Sequence, residues 1–270
     1  MLADKYLRQD MMPHIWCPGC GHGIIMNAVI TAIDKLGLDQ DKTAIVSGIG
    51  CSSRASGYMN FDTLHTTHGR ALAFATGLKV ARPELNVIVL TGDGDALAIG
   101  GNHFIHACRR NIDITTVLFN NNIYGMTSGQ YSPTTPHGRF ATTAPYGNID
   151  RNFDACELAK VAGATYVARA TAYHAAMLAN LIAKGIENKG FSLVEAISQC
   201  PTYYGRKNKL GTPIDMLNWQ KEHAVTKAAA AKLSPEQMSD KFIIGEIYHG
   251  QAPEYTAEYE KLIAGLQGKE

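Results

Sequence analysis

The chain has 270 residues, of which 46% are hydrophobic and 18% are charged, and its formal net charge is +1. This length allows one large α/β domain or two small ones, and the near-neutral charge gives no reason to expect binding to nucleic acid or to a membrane surface. No apolar run approaches the roughly 20 residues that span a bilayer, and the N-terminus lacks the pattern of a signal peptide. We therefore expect a cytoplasmic protein.

Helical and strand-like stretches alternate from residue 23 to about residue 200. The helices are predicted from apolar residues at helical spacing, and the strands from short apolar runs. In chain order we predict a helix at 24–36, a strand at 43–46, a helix at 69–82, a strand at 87–90, a helix at 101–110, a strand at 114–119, a strand at 165–167, a helix at 172–188 and a strand at 191–197. This order predicts an α/β fold with a mostly parallel sheet flanked by helices on both faces.

Two segments fall outside this alternation. Residues 125–152 are rich in Gly, Pro, Thr and Ser, and we expect a long ordered loop there, which is uncommon unless the loop is functional. Residues 205–270 are more polar, with a helical stretch near 221–233. We expect them to form a C-terminal extension that packs on the main domain, residues 1–204, or on a partner subunit.

Polar residues follow two of the predicted strands at the edge where open α/β sheets bind ligands. Asp93 lies between two glycines directly after the strand at 87–90, and Asn121 follows the next strand. Adjacent parallel strands end about 5 Å apart, and Mg²⁺ prefers oxygen ligands that it often shares with phosphate. Although Gly-Asp-Gly alone is compatible with a simple turn, the two motifs together predict a site for magnesium and a diphosphate.

Six cysteines are too few for a disulfide scaffold, and clustered cysteines are more often metal ligands in a reducing compartment. Cys17 and Cys20 form a CxxC turn, Cys51 follows a glycine, and Cys200 precedes a proline. Four thiolates suit an iron–sulfur cluster or a closed zinc site, and the spacing alone leaves both open. A redox disulfide is less favoured because this CxxC opens no βαβ unit.

Two further patterns point away from a site. The turn at 48–53 follows a strand, as a dinucleotide-binding loop would, but it lacks the third glycine and an acidic residue about 20 positions further on. Cys108 and Cys156 lie on predicted helices without metal-like partners, so we expect them in the core.

Several motifs together resemble the thiamine-diphosphate-binding β subunits of 2-oxoacid:ferredoxin oxidoreductases. They are, in chain order, WCPGCGHG at Trp16–Gly23, GIGCSSR at Gly48–Arg54, HGR at His68–Arg70, GDGD at Gly92–Asp95, NNIYGMTSGQ at Asn121–Gln130 with SPT at Ser132–Thr134, and QCP at Gln199–Pro201. The match extends from about Trp16 to Lys209, most of the chain.

The resemblance implies the thiamine-diphosphate-binding fold and three cofactors: thiamine diphosphate, one Mg²⁺ and one [4Fe–4S] cluster. The implied magnesium ligands are Asp93, Asn121 and the carbonyl of Ile123. The implied cluster ligands are Cys17, Cys20, Cys51 and Cys200. The residues expected to line the thiamine diphosphate are Ile49, Gly50, Cys51, Ser52, His68, Gly94, Asp95, Gly125 and Met126. His68 and Arg54 are the expected catalytic residues. Arg54 would bind a substrate carboxylate, and the alternative is that it is a surface or interface charge.

The same resemblance implies oxidation of a 2-oxoacid, with transfer of the acyl group to coenzyme A and of electrons to ferredoxin. We find no motif for the carboxylate that activates thiamine, and in the family it lies on an α subunit. A heterodimer, or a dimer of heterodimers, is therefore expected. The turn at 48–54 and the segment Tyr204–Lys209 resemble 2-oxoglutarate-type subunits more than pyruvate-type ones. Pyruvate or a branched 2-oxoacid, a non-oxidative thiamine enzyme with structural zinc, and a non-enzymatic electron carrier are the alternatives.

Overall fold

The computed structural model describes residues 2–268, which are organised around one eight-stranded sheet. Its strands are β1 Thr43–Ser47, β2 Asp62–His65, β3 Asn86–Gly92, β4 Thr115–Asn120, β5 Tyr166–Thr171, β6 Ser192–Ile197, β7 Ala224–Thr226 and β8 Phe242–His249. The order across the sheet is β2-β1-β3-β4-β6-β5-β8-β7. All neighbours pair in parallel except β5 and β8, which confirms the predicted fold class.

The helices flank this sheet. They are α1 Leu2–Tyr6, α2 His22–Lys35, α3 Ala55–Tyr58, α4 Ala71–Ala81, α5 Gly101–Arg110, α6 Ala155–Ala162, α7 Ala175–Glu187, α8 Pro213–His223, α9 Lys227–Ala230, α10 Pro235–Met238 and α11 Tyr255–Gln267. None of the helices in residues 2–268 is both long enough and apolar enough to cross a bilayer.

Two apolar cores lie on opposite faces of the sheet. Because successive side chains of a strand point to opposite faces, Ile45 and Ile88 pack on the face covered by α2 and α7, while Val46 and Val89 pack on the face covered by α4, α5 and α6. Every residue of β1 is buried. Burial on both sides explains why the central strands read as continuous apolar runs.

The helical stretch predicted near 221–233 is confirmed only in part. Helix α8 ends at His223, and Ala224–Thr226 forms β7 by pairing with Phe242–Ile244 of β8. The alanines that follow are helical in α9, Lys227–Ala230, so the pairing interrupts the predicted helix only at the three residues of β7. Strands β2 and β8 were not predicted because both are largely exposed or half-buried and carry no buried apolar run.

Strand β8 also bears on the C-terminal segment, because it hydrogen-bonds to β5 along the main sheet. The residues after 205 therefore supply two strands to that sheet. The boundary placed between residues 204 and 205 stays a prediction.

The site lies at the carboxyl edge of the sheet, where β1, β3 and β4 are direct neighbours and β6 follows β4. The connection from β4 to α6 contains no helix or strand. It is nevertheless held by main-chain hydrogen bonds, such as Thr142 N–H to the Gly129 carbonyl at 2.7 Å and Asn148 N–H to the Arg139 carbonyl at 2.8 Å. The predicted long ordered loop is thus present and borders the site.

Candidate active site

A cavity opens where the loops after β1, β3 and β4 meet. It is lined by His22, Ile49, Gly50, Cys51, Ser52, His68, Gly92, Asp93, Gly94, Asp95, Phe119, Asn121, Ile123, Tyr124, Gly125, Met126 and Thr127. Every residue that the sequence predicted to bind magnesium or thiamine diphosphate is in this lining. The structure therefore brings these residues together, and their individual roles stay predictions.

Asp93 is the buried carboxylate of the predicted magnesium site. Its Oδ2 accepts hydrogen bonds from Ser132 Oγ at 2.6 Å and from Thr134 Oγ1 at 2.5 Å. Burial raises the pKa of Asp93 to about 6 even though these hydroxyl donors lower it, because loss of solvent disfavours the charged carboxylate. A divalent cation would compensate this buried charge, so Asp93 fits the role of a metal ligand.

Asn121 and Ile123 lie on a tight turn beside Asp93. Asn122 between them has a left-handed φ of +59°, which asparagine tolerates better than most residues. The Asn121 Oδ1 accepts from the Ile123 N–H at 3.3 Å, and the Asn122 carbonyl accepts from Thr135 Oγ1 at 2.6 Å. The cavity is thus lined by a carboxylate, a side-chain amide and a main-chain segment that offer oxygen atoms, which is the donor chemistry that suits Mg²⁺.

Asp95 connects three loops rather than facing the cavity as a free anion. Its carboxylate accepts from the Gly69 N–H and from Thr91 Oγ1, both at 2.7 Å, and from the Ile49 N–H at 3.3 Å. His68 Nδ1 lies 2.6 Å from Asp95 Oδ1, in close contact although not aligned as a hydrogen bond. Because a carboxylate repels a diphosphate, this side chain fits a bracing role, and contact with the cofactor would involve the main chain of Asp95.

The cavity also contains His22, to which the sequence analysis assigned no role. His22 is buried, with Nδ1 3.2 Å from Ser198 Oγ and its ring edge-on to Phe119. Burial lowers the pKa of His22 to about 4, so the imidazole is neutral at pH 7. Its place two residues after Cys20 in the CGHG motif was the available signal.

The four predicted cluster ligands come from three loops that meet beside this cavity. A hydrogen bond from Gln199 Nε2 to the Gly19 carbonyl, at 3.1 Å, joins the CxxC turn to the loop of Cys200. A side chain on Gly125 would place its Cβ 3.4 Å from Cys51 Sγ and 3.8 Å from Cys200 Sγ, so both sulfurs lie next to Gly125. All four cysteines are free thiols.

The thiols influence one another's ionisation. Burial, and then the neighbouring cysteines, raise the pKa of Cys20 to about 12 and that of Cys51 to about 11. Thiols with raised pKa values are protonated near neutral pH, so a bound metal would have to displace their protons. The four cysteines therefore form one electrostatic group.

Zinc and iron–sulfur sites differ in the sulfur spacing that they need. Tetrahedral zinc with Zn–S distances of about 2.3 Å needs sulfur atoms roughly 3.8 Å apart. Across residues 2–268, three candidate ligand atoms of His, Cys, Asp or Glu lie within 4.8 Å of one another only at Asp154, Cys156 and Glu195. Whether the four cysteines hold a cluster or zinc stays a prediction.

Arg54 and the two remaining cysteines lie outside the cavity lining. The Arg54 guanidinium carbon lies 5.8 Å from the centre of the Tyr58 ring, and within the described chain its buried Nε has no hydrogen-bond partner. Its proposed contact with a substrate carboxylate stays a prediction.

Cys108 and Cys156 are both buried in the apolar core under α5 and α6, as predicted.

Comparison with known proteins gives the family. The family described as "Thiamine pyrophosphate enzyme, C-terminal TPP binding domain" matches residues 48–196. The chain is 55% identical to the 2-oxoglutarate synthase subunit KorB of Methanothermobacter marburgensis, over 98% of this chain and 93% of that one. It is also 46% identical to the 2-oxoacid:ferredoxin oxidoreductase subunit beta of Saccharolobus solfataricus, over 70% of this chain and 62% of that one. The chain belongs to the 2-oxoacid:ferredoxin oxidoreductase β-subunit family.

A solved structure supports the same family assignment. The 2-oxoglutarate:ferredoxin oxidoreductase from Magnetococcus marinus, solved with 2-oxoglutarate, coenzyme A and succinyl-CoA bound, superposes with a TM-score of 0.88 at 38% sequence identity. The superposition covers 99% of this chain and 91% of that one. The fold of the matched chain is therefore present over nearly the whole of this chain, and the segment that matches the thiamine-binding family contains Asp93, Asn121 and Cys51.

Proposed function

We propose that this chain is the β subunit of a coenzyme-A-dependent 2-oxoglutarate:ferredoxin oxidoreductase that holds thiamine diphosphate, Mg²⁺ and a [4Fe–4S] cluster. One observation carries the proposal: a single cavity is lined by Asp93 and Asn121 and also by Cys51. The sulfur atoms of Cys51 and Cys200 both lie beside Gly125, which also lines the cavity. The loop after β1 would thus contact both the organic cofactor and the electron acceptor.

The residues present fit both cofactors. Asp93, Asn121 and the Ile123 carbonyl would hold Mg²⁺ and, through it, the diphosphate. Thiamine diphosphate, when bound, supplies the carbanion chemistry at the 2-oxo carbon. The protein would contribute orientation and charge compensation, with His68 fixed against Asp95 at 2.6 Å.

The cavity lacks one catalytic group. Thiamine enzymes need a carboxylate on the aminopyrimidine, and the carboxylates among the described lining residues are Asp93 and Asp95. Both are hydrogen-bonded within the protein. We infer that an α subunit supplies the missing carboxylate, in a heterodimer or a dimer of heterodimers, and that the isolated chain is inactive.

The substrate proposal rests on the relatives. The relatives named above include a 2-oxoglutarate synthase subunit, and the solved relative was determined with 2-oxoglutarate, coenzyme A and succinyl-CoA bound. The reaction would convert 2-oxoglutarate and coenzyme A to succinyl-CoA and CO₂, reversibly, with two electrons passing singly to ferredoxin. Six free cysteines fit a reducing compartment, so we place the reaction in the cytoplasm.

The first test is the content of iron, acid-labile sulfide, zinc and thiamine in protein purified without oxygen together with its α subunit. We expect about four irons and four sulfides per chain. The Cys51→Ala variant should lose both, whereas Cys108→Ala, which removes a buried thiol outside the cavity, should keep them. About one zinc per chain without sulfide would contradict the ferredoxin-linked reaction and leave a thiamine enzyme with a structural metal.

The second test is turnover with ferredoxin and coenzyme A. The assembled enzyme should oxidise 2-oxoglutarate faster than pyruvate or branched 2-oxoacids, and the chain without its α subunit should show no turnover. Faster oxidation of pyruvate would overturn the choice of substrate but not the class of reaction.

A further inference from the structure

A charged pair lies inside the parallel sheet, where apolar side chains are the rule. Arg169 on β5 and Glu195 on β6 are directly opposite each other in register, and both are at most 9% exposed. The Arg169 Nε donates to Glu195 Oε2 at 2.6 Å. Replacing a buried ion pair with apolar residues is often neutral or stabilising, so overall stability is a poor explanation for this pair.

The other end of the Glu195 carboxylate faces the site. Its Oε1 accepts from Asn120 Nδ2 at 2.7 Å, and both groups are buried. Because the amide nitrogen is committed to Glu195, the amide oxygen must point the opposite way. That oxygen accepts from the Asn122 N–H at 3.1 Å and lies 2.9 Å from Thr134 Oγ1.

Both of these contacts lead to the predicted magnesium ligands. The Asn122 N–H belongs to the left-handed turn that carries Asn121 and Ile123. The Thr134 hydroxyl also lies 2.5 Å from Asp93 Oδ2. A single side chain, Asn120, therefore contacts the supports of every predicted ligand of the ion.

The pair is also fixed from its outer side. Arg169 Nη2 donates to Asp154 Oδ1 at 2.6 Å, and Asp154 caps α6 by accepting from the N–H groups of Cys156 and Glu157. Cys156 Sγ lies 3.4 Å from Glu195 Oε2. The Arg169 guanidinium hydrogen-bonds to both carboxylates of this group, Asp154 and Glu195, so their charge is compensated without a metal ion.

We infer that Glu195, held by Arg169, is a positioning residue for the magnesium site and acts through Asn120. This inference rests on the proposed function, because it requires that Asp93 and Asn121 bind Mg²⁺ with thiamine diphosphate. A carboxylate is required at position 195 because it accepts hydrogen bonds at both oxygens, from Asn120 and from Arg169. Glutamine has one acceptor and one donor end, so it would turn a donor toward either Asn120 or Arg169.

The test is a calorimetric titration of Mg²⁺ into the full-length chain assembled with its α subunit, freed of divalent cations and saturated with thiamine diphosphate. Glu195→Gln should raise the magnesium Kd about tenfold, since a hydrogen bond to a charged group is lost. Asn120→Ala should raise it to a similar extent. The double variant should be no weaker than either single variant, because the two residues act as one unit.

The matched control is Asp113→Asn. It weakens the ion pair between Lys79 Nζ and Asp113 Oδ2, 2.8 Å apart, near the opposite end of β4 from Asn120. Its magnesium Kd should be unchanged even if the protein is less stable, which separates positioning from a general loss of stability.

Three results would overturn the inference. A folded Glu195→Gln variant with the Kd of the unsubstituted protein would show that Glu195 does not position the site. If that variant does not fold, Arg169→Lys is measured instead. Lysine keeps the positive charge but lacks the planar guanidinium that donates to Glu195 and Asp154 at the same time. An unchanged Kd would again contradict the inference. Absence of magnesium binding by the unsubstituted protein would reject the proposed cofactor site and, with it, this inference.

Discussion

Gly94 shows how a single residue shapes the cavity. A Cβ at this position would lie 2.3 Å from Cζ of Tyr124, whose hydroxyl donates to the Gly94 carbonyl at 2.9 Å. The Tyr124 ring is thus held in place by a hydrogen bond to Gly94, and a Cβ added to Gly94 would displace the same ring. The tyrosine therefore covers the Gly-Asp-Gly turn only because position 94 has no side chain.

We predict that Gly94→Ala weakens the binding of thiamine diphosphate at least tenfold and lowers the free energy of unfolding by about 1–3 kcal/mol, the usual cost of overpacking. Calorimetric titration and urea denaturation would measure the two effects.

The control is Gly77→Ala, which lies on the exposed side of α4 with no atom within 4 Å of the added Cβ. This change should stabilise the protein by about 0.5–1 kcal/mol because alanine favours the helix. Its cofactor affinity should not change. Equal affinities in the two variants would contradict the place of Gly94 in the site.

Among the elements, α11 depends on its N-cap, Glu254, which directly precedes the helix. The Glu254 side chain accepts from the Ala257 N–H at 2.8 Å, from Thr256 Oγ1 at 2.6 Å and from the Asp113 N–H at 3.0 Å. The last of these contacts attaches the start of α11 to the segment before β4. Burial alone would raise the pKa of Glu254, but these hydrogen bonds lower it overall.

We predict that Glu254→Gln destabilises the protein by about 1 kcal/mol at pH 7, the typical value of a helix cap. Because the pKa of Glu254 is lower in the folded state, its contribution is present above the unfolded-state pKa of about 4.3 and is lost as the pH falls through the folded-state value. Urea denaturation at pH 7 and below pH 4 should therefore show the difference between the variants shrinking in acid. A constant difference would contradict an ionised cap.

The predictable elements are those whose signal is local. The apolar runs of β1, β3, β4 and β6, and the polar residues at their ends, were sufficient to predict the sheet and to place Asp93 with Asn121. The contact between Arg169 and Glu195 depends on the register of β5 against β6, and β8 reaches β5 across about 75 residues of chain. Such pairings between distant segments produce no periodic pattern in the sequence. The charged residues Arg169 and Glu195 inside otherwise apolar strands were the one available signal of this contact.

At the scale of the whole molecule, β8 covers the edge of β5. It pairs antiparallel with β5, and Ile244 is 3% exposed. Helix α11, in contrast, buries only Thr256 among its described residues. The two parts of the C-terminal segment should therefore differ in their importance for folding.

We predict that a chain ending at residue 240 aggregates, because the β5 edge becomes free to pair with other molecules. A chain ending at residue 254 lacks α11 and the residues after it, and it should remain folded. Size-exclusion chromatography of both truncated chains would measure this. A folded, monodisperse chain ending at residue 240 would show that β8 is dispensable and would favour the boundary predicted after residue 204.

Trp16, beside the CxxC turn, has a spectroscopic consequence. Its indole N–H donates to the Cys51 carbonyl at 2.7 Å, and the ring is 7% exposed. The other tryptophan of the chain, Trp219, is 43% exposed and stacks on His223. Since iron–sulfur clusters absorb in the near ultraviolet, where indole emits, assembly of a cluster on these cysteines should quench Trp16 while Trp219 continues to fluoresce. In a Trp219→Phe protein, the intensity of the Trp16 fluorescence would thus report how much of the protein holds a cluster.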